Sequence, residues 1–291
     1  MEPTSVSQVR DGLAATGYLV DDELATVAFL ALRLPRPLLL EGEPGTGKTA
    51  LAEALAQSLE VPLIRLQCYE GIDASQALYD WDFPRQVLHL RALEAAGEVD
   101  AAGAEASLYD ERFLLARPVL AALRASPAVL LVDEVDRADD EFEAFLLEVL
   151  STYQVTIPEL GTVRATTPPI VVLTSNRTRE LHDALKRRCL YHWLDHPDAE
   201  REMAILRSRA PEVGATLARQ VVEVAQLLRA SHDLVKAPGV AETLDWARAL
   251  QRLGSSELDL DTAARTLGAL VKHREDTARV RQALDRVLGA P

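Results

Sequence analysis

Residues 37–49 read PLLLEGEPGTGKT, and the helix-forming stretch ALAEALAQSL follows at once. An apolar strand, a glycine-rich turn and a helix in that order are the context that gives G-x-x-x-x-G-K-[ST] its meaning. Gly42, Gly45 and Gly47 let the backbone fold back and approach a phosphate with no Cβ in the way. The segment Gly42, Glu43, Pro44, Gly45, Thr46, Gly47, Lys48, Thr49 is therefore the expected phosphate cradle. Its N–H groups, backed by a helix N-terminus, attract an anion. Lys48 is expected on the β- and γ-phosphates, and the Thr49 hydroxyl on magnesium. ATP and Mg2+ are the cofactors this loop predicts.

Four more apolar runs recur along the first two thirds: VPLIRLQ (61–67), AVLLVD (128–133), IVVLT (170–174) and LYHWL (190–194). Each is short, nearly continuous in apolar character, and separated from the next by a long or helical connection. That pattern predicts parallel strands buried on both faces of a doubly wound α/β sheet. In DEFEAFLLEVL, Phe142, Phe145, Leu146, Val149 and Leu150 fall on one helical face. The run AVLLVDE closes on two acids, at the strand end where ligands bind in such sheets. Asp133 is expected to hold magnesium through its water shell, and Glu134 to act as general base on the attacking water. An acidic loop opening a helix accounts for Asp139, Asp140 and Glu141, but not for that strand-closing pair. Ser175 and Asn176 follow IVVLT, either as a turn or as a polar group beside the terminal phosphate.

TYQVTIPELGTVRA reads as two extended pieces around a PELG turn, a plain hairpin or a substrate-contacting loop. Between Cys68 and Pro118 no strand is evident. The segment EAAGEVDAAGAEASLYDERF within it reads as a solvated or mobile helical insertion. From HPDAERE (196–202) onward the pattern is helical. Val221, Val224, Ala225 and Leu228 form one face, and Leu244, Ala247, Leu250 and Leu253 another, with KAPGVAE a break between helices. The expected domains are a nucleotide-binding core, 1–196, with an insertion around 69–118, and an α-helical domain, 197–291.

The 291 residues carry a formal charge of −14, with 48% apolar and 26% charged residues. Such a field repels a nucleic-acid backbone, so no nucleic-acid partner is expected. Cys68 and Cys189 lack metal or redox spacing and read as reduced thiols of a cytoplasmic protein. No apolar run reaches membrane-spanning length, and the N-terminus lacks a signal peptide's pattern. The six histidines include no HExxH, and His182, His192 and His196 read as surface or hydrogen-bonded core residues rather than a zinc site.

The phosphate loop, LLVDEVDRA, the asparagine of VVLTSNR, the arginine pair of ALKRRC and a helical C-terminal part together resemble an AAA+ ATPase. The hairpin before the asparagine strand resembles the MoxR branch. IRLQCYEGID, FEAFLLEVLSTYQVTIPELG and SNRTRELHDALKRRCLYHW are similar to CoxD-like members. The resemblance runs from about residue 15 to 255. It implies a P-loop αβα core with strand order 5-1-4-3-2 and a helical lid. It implies a ring of identical subunits, most often a hexamer, with Asn176 as first sensor. Arg187 and Arg188 match the pair that contacts a neighbouring subunit's γ-phosphate, Arg188 being the first choice, while Lys186 reads as a solvated corner. The implied function is an ATP-driven chaperone for metal-cofactor maturation of a metalloenzyme client. That client would be a molybdenum hydroxylase such as carbon monoxide dehydrogenase, reached with a VWA-domain partner. One departure stands out. Glu242 occupies the position where many lids open with a phosphate-sensing arginine, and Arg248 lies about a turn and a half further on.

Two other classes use the same loop. A small-molecule kinase needs an acceptor pocket and works as a monomer. The acid pair, the helical domain and the arginine placement weigh against it. A DNA-linked AAA+ ATPase is disfavoured by the charge and by the lack of a helix-turn-helix candidate.

Overall fold

A computed structural model describes residues 3–96, 107–231 and 234–288. Its strands are β1 (Leu38–Glu41), β2 (Leu63–Gln67), β3 (Tyr79–Trp81), β4 (Leu114–Ala116), β5 (Val129–Asp133), β6 (Gln154–Ile157), β7 (Gly161–Arg164), β8 (Ile170–Ser175) and β9 (Leu190–Trp193). Five of them form one sheet in the order β2-β5-β8-β1-β9. Counted in chain order and read from the β9 edge, this is the expected 5-1-4-3-2. β5 runs parallel to both β2 and β8, with Gln67 opposite Asp133 and Val132 opposite Leu173.

Burial on both faces holds for β1, β5 and most of β8 but fails for the two edge strands, β2, where only Leu66 is buried, and β9, where no residue is fully buried. β2 is an edge strand, so one side of its ladder and part of its face have no neighbour to cover them. Arg65 and Gln67 sit there for that reason. The absence of a strand between Cys68 and Pro118 is also corrected. β3 and β4 pair antiparallel, Trp81 opposite Leu114. Three-residue strands are too short for periodicity to reveal. Residues 97–106, the middle of the expected insertion, lie outside the described residues. The PELG hairpin is present as β6 and β7.

The chain divides into two compact units. The first comprises residues 1–4, 26–40 and 55–192. Its core joins Leu130 and Val132 of β5 and Val171 and Leu173 of β8 to the helices Pro118–Arg124 and Asp140–Thr152. Phe142, Leu146, Val149 and Leu150 are buried there and Phe145 packs at its edge, as the periodicity predicts. Each such side chain contributes roughly 1.5–3 kcal/mol on full burial. Asp139 caps the second helix by accepting the Phe142 N–H. Cys68 and Cys189 are both buried and free, and burial pushes each thiol up to about 12.

The second unit comprises residues 5–25, 41–54 and 193–291. Helices Ala199–Arg209, Ala215–Ala230, Val240–Arg252, Leu260–Leu270 and Arg274–Leu288 make up its C-terminal part. Val221, Val224, Ala225 and Leu228 are buried as expected, and on the next helix Ala247 and Leu250 are buried with Leu244 packed against the same core, also as expected. Val240, Thr243, Trp246, Ala247 and Leu250 are buried, while Leu253 lies past the helix end and is exposed. The large indole of Trp246 is fully buried beside them and widens that face. Inside the unit Arg229 forks onto Glu202, with both N···O distances 2.6 Å, and also bonds Thr243 and the Pro238 carbonyl. This network fixes the start of the Val240 helix against its neighbours.

Candidate functional site

In the second unit the phosphate loop leaves β1 and ends where the helix Lys48–Leu59 begins. Gly45 and Gly47 take φ of +83° and +98°, a region that suits glycine. A Cβ on Gly42 would lie 2.3 Å from the Leu194 carbonyl oxygen, so that position accepts glycine alone. Lys48 is buried, and its ammonium donates to the carbonyls of Gly42 and Glu43 at 2.8 and 2.7 Å. The Thr46 hydroxyl donates to the Glu43 carbonyl, at 2.9 Å, and the Tyr18 hydroxyl to the Gly47 carbonyl, at 3.2 Å. Burial raises the Tyr18 phenol far above its ordinary value, which keeps it a donor.

The start of the Val240 helix lies on this loop. The Val240 N–H donates to the Gly45 carbonyl at 3.0 Å, and a Cβ on Gly45 would meet Gly239 Cα at 2.9 Å. Glu242 turns back to accept the Gly239 N–H at 3.1 Å, one half of a capping box, since the N-cap glycine has no side chain to return the bond. The carboxylate at the position where many lids carry an arginine is thus a helix cap beside Gly45. Arg248 is tied elsewhere, donating to the Arg209 carbonyl at 2.6 Å with Glu212 at 3.5 Å. His196, expected to be a surface or hydrogen-bonded residue, has a buried Nδ1 with no hydrogen-bond partner among the described residues.

In the first unit, the ends of β5 and β8 bring Asp133, Glu134 and Asn176 together. Asp133 is buried. Its Oδ1 accepts the Thr174 hydroxyl at 2.5 Å, and its Oδ2 the Arg65 guanidinium at 2.5 Å. Glu134 adopts φ 56° and ψ 49°, a left-handed backbone that a non-glycine residue holds only where its surroundings impose it. The Thr174 hydroxyl accepts the Glu134 N–H at 2.9 Å. Asn176 donates Nδ2 to Glu134 Oε1 at 3.2 Å. Glu134 Oε2 meets Gln67 Nε2 and Arg137 Nε, each at 3.1 Å. The carboxylate is therefore held in direction by donors from three segments.

Asp136 is buried below the Asn176 loop. Its Oδ2 accepts the Asn176 N–H at 3.2 Å and the Thr178 N–H and hydroxyl at 2.8 Å. Further along, buried Glu143 pairs with Arg179 and accepts the His182 N–H at 2.8 Å. His182 caps the helix Asp183–Arg188, which carries the arginine pair at its C-terminal end. Arg36 closes that end. Its guanidinium donates to the carbonyls of Arg187, Arg188 and Cys189 at 2.7, 3.1 and 3.2 Å. Arg187 and Arg188 are exposed, and neither guanidinium has an ion-pair partner among the described residues. Lys186 is not a plain solvated corner, since it pairs with Glu180 at 2.6 Å.

Sequence reasoning passed over Arg65, Gln67, Asp136 and Thr174. A signal for two of them lay in the alternation of LIRLQ, which puts Arg65 and Gln67 on one face of β2. Asp136 resembled its acidic neighbours, and only burial separates it from them. The donors proposed for a metal, the Thr49 hydroxyl and the Asp133 carboxylate, are hard oxygens of the kind magnesium takes. Among the described residues no cluster of three or more His, Cys, Asp or Glu could hold a metal by itself. One carboxylate plus a hydroxyl suits an ion that keeps waters and takes phosphate oxygens. No helix among the described residues is long and apolar enough to cross a membrane.

Comparison with known proteins adds relatives. Over 278 residues the chain is 27% identical to the ATP-dependent zinc metalloprotease FtsH 3 of Sphaerobacter thermophilus, an overlap of 90% of this chain and 44% of that one. Over 163 residues it is 29% identical to Cell division control protein 48 homolog B of Arabidopsis thaliana, covering 54% and 22%. A stretch of 48 residues is 48% identical to Midasin of Giardia intestinalis, covering 16% and 1%. The chain spans less than half the length of these relatives. Residues 37–189, more than half of the chain, match the family described as AAA domain (dynein-related subfamily). With its phosphate loop and its Asp133–Glu134 strand end, the chain belongs to that AAA family, within the AAA+ ATPases.

Proposed function

We propose that the protein hydrolyses ATP and uses the energy to remodel a protein client. The observation that carries this reading is Asn176 held on Glu134, which orients a carboxylate toward use as a general base. In the proposal, residues 42–49 cradle the phosphates, with Lys48 on the β- and γ-phosphates. Thr49 and Asp133 hold Mg2+, which neutralises charge on the phosphates. Glu134 takes a proton from water, and Asn176 holds both in line. Arg187 and Arg188 act on the nucleotide of a neighbouring subunit in a homo-oligomeric ring, a hexamer by family resemblance. Arginine suits that task because it stays ionised and forks onto phosphate oxygens. Residues 1–196 serve as the core and 197–291 as the lid.

The finer reading is a MoxR-type, CoxD-like cytoplasmic chaperone with a VWA-domain partner, maturing a molybdenum hydroxylase. It rests on the similarity of IRLQCYEGID and SNRTRELHDALKRRCLYHW to those members. The relatives support remodelling at the coarser AAA+ level. The 291 residues hold no HExxH, and proteolysis forms no part of the proposal.

The test is a mixing experiment. Glu134→Gln is expected to bind ATP and hydrolyse it poorly, and Arg188→Ala to be inactive alone. Mixing the two should restore activity, because some interfaces then combine an intact Glu134 with an intact Arg188. Full activity of a dilute, monomeric Arg188→Ala protein would overturn the ring mechanism.

A further inference from the structure

The family motif assigns Asp133 to magnesium, yet in this structure the carboxylate already has a cation. Arg65 reaches it from the neighbouring strand, with N···O 2.5 Å. The register explains how. Gln67 lies opposite Asp133 on β2, and Arg65, two residues earlier, shares its face of the strand. A side chain of arginine's length spans that offset. The Gln67 amide oxygen accepts a second guanidinium bond at 2.7 Å and aims the group forward. The two partners differ sharply in exposure. The Asp133 side chain is 5% exposed and that of Arg65 51%. A carboxylate so buried is costly without a counter-charge, whereas a half-exposed guanidinium can swing back into water at small cost.

We propose that Arg65 is a built-in counter-cation for Asp133 that competes with magnesium for this carboxylate and so sets the magnesium concentration the site requires. The inference deepens the proposed ATPase reading and rests on it. A dication drawn toward Oδ2 meets the like charge of the guanidinium, so the two occupants are alternatives. Oδ1 offers no easier approach, because it accepts the Thr174 hydroxyl. Arginine stays ionised at every accessible pH, so the counter-cation is always present to compete with magnesium. Arg65 is thus a positioning residue. It holds the Asp133 carboxylate in place without metal, and leaves when the metal is bound.

The experiment compares full-length wild type, Arg65→Gln and Arg65→Lys. Magnesium chloride is titrated in the presence of a fluorescent ADP analogue, and the half-saturating concentration is read from the fluorescence. A parallel binding curve is taken in EDTA. Melting temperatures are measured in EDTA and with magnesium alone. Arg65→Gln is expected to lower the half-saturating magnesium about fivefold, the scale of a half-exposed ion pair. Arg65→Lys, which keeps a charge on a shorter stem, should fall between the two. In EDTA Arg65→Gln should melt lower than wild type, and magnesium alone should raise its melting temperature more. An unchanged or higher magnesium requirement in Arg65→Gln overturns the proposal. So does weaker binding of the analogue in EDTA, which would make Arg65 a phosphate ligand. If wild type binds no nucleotide, the ATPase reading fails, while the magnesium-only melting curves still decide the competition. If Arg65→Gln does not fold, Arg65→Lys carries the same comparison.

Discussion

Asn176 Nδ2 lies 3.2 Å from Glu134 Oε1, and the Asn176 backbone N–H is held by buried Asp136 at the same distance. One acid of the DEVD segment thus fixes the loop whose asparagine steers another acid of that segment. The Glu134 backbone, in its left-handed conformation, is fixed in turn by Thr174. Asp136, two positions from Glu134, therefore acts on its carboxylate through the loop that follows β8.

Removing the amide should uncouple orientation from binding. Asn176→Ala is expected to lower the hydrolysis rate about ten- to hundredfold, while affinity for a fluorescent ADP analogue changes by less than about twofold. Steady-state ATPase assays beside equilibrium binding give both numbers. An equal loss in both would place Asn176 in nucleotide binding instead.

Two glycines should respond in opposite ways to alanine. Gly45→Ala meets both a φ of +83° and a Gly239 Cα 2.9 Å from the new methyl. It should abolish analogue binding and lower the melting temperature. Gly268 lies within the helix Leu260–Leu270 with nothing within 4 Å of a built Cβ. Gly268→Ala should stabilise by roughly 0.5–1 kcal/mol. Thermal unfolding of both variants beside wild type checks the pair.

The buried Arg229–Glu202 fork is expected to be costly to break from one side. Arg229→Met leaves Glu202, at 1% exposure, without a cation, and should destabilise by about 3–5 kcal/mol. The double variant Arg229→Met with Glu202→Leu should recover much of that loss. Calorimetry of the single and double variants measures it.

His196 gives the protein an acid sensitivity with a definite sign. Burial chiefly lowers its pKa, and Arg229 adds to this, against smaller opposing effects of Glu202, Glu43 and Asp195. A depressed folded-state pKa means the stabilisation is complete above the unfolded value, about 6.5. It is lost as pH falls from there through the folded pKa. Between pH 7 and 5, His196→Gln should therefore lose less melting temperature than wild type. Equal losses would show that His196 titrates normally.

Arg36 holds three carbonyls at the end of the arginine-bearing helix. Arg36→Gln should reduce ATPase activity at fixed subunit concentration while leaving analogue binding by the dilute protein intact. Weakened binding in the dilute protein would instead tie Arg36 to its own subunit's nucleotide.

The sequence by itself determined whatever depends on short-range pattern. Apolar runs marked the five sheet strands, most clearly β1, β5 and β8, because a strand covered on both sides has no polar alternation to dilute it, whereas the edge strand β2 carries Arg65 and Gln67 in alternation. Glycine spacing marked the phosphate loop, because positive φ and close approach exclude other residues. Helical periodicity marked the C-terminal part. Strand order followed from family resemblance, not from any local signal. Only the tertiary structure decided how polar side chains pair across strands and loops. Arg65 and Asp133 are 68 positions apart and meet because β2 and β5 share a register. Asp136, three positions after Asp133, differs from the surface acids beside it only by burial under the Asn176 loop. The same holds for Glu242, which local sequence presents as a charge facing phosphate and the fold uses as a helix cap beside Gly45. Hydrogen-bond partners are set by which backbones the fold brings together, and residue type at one position does not carry that information.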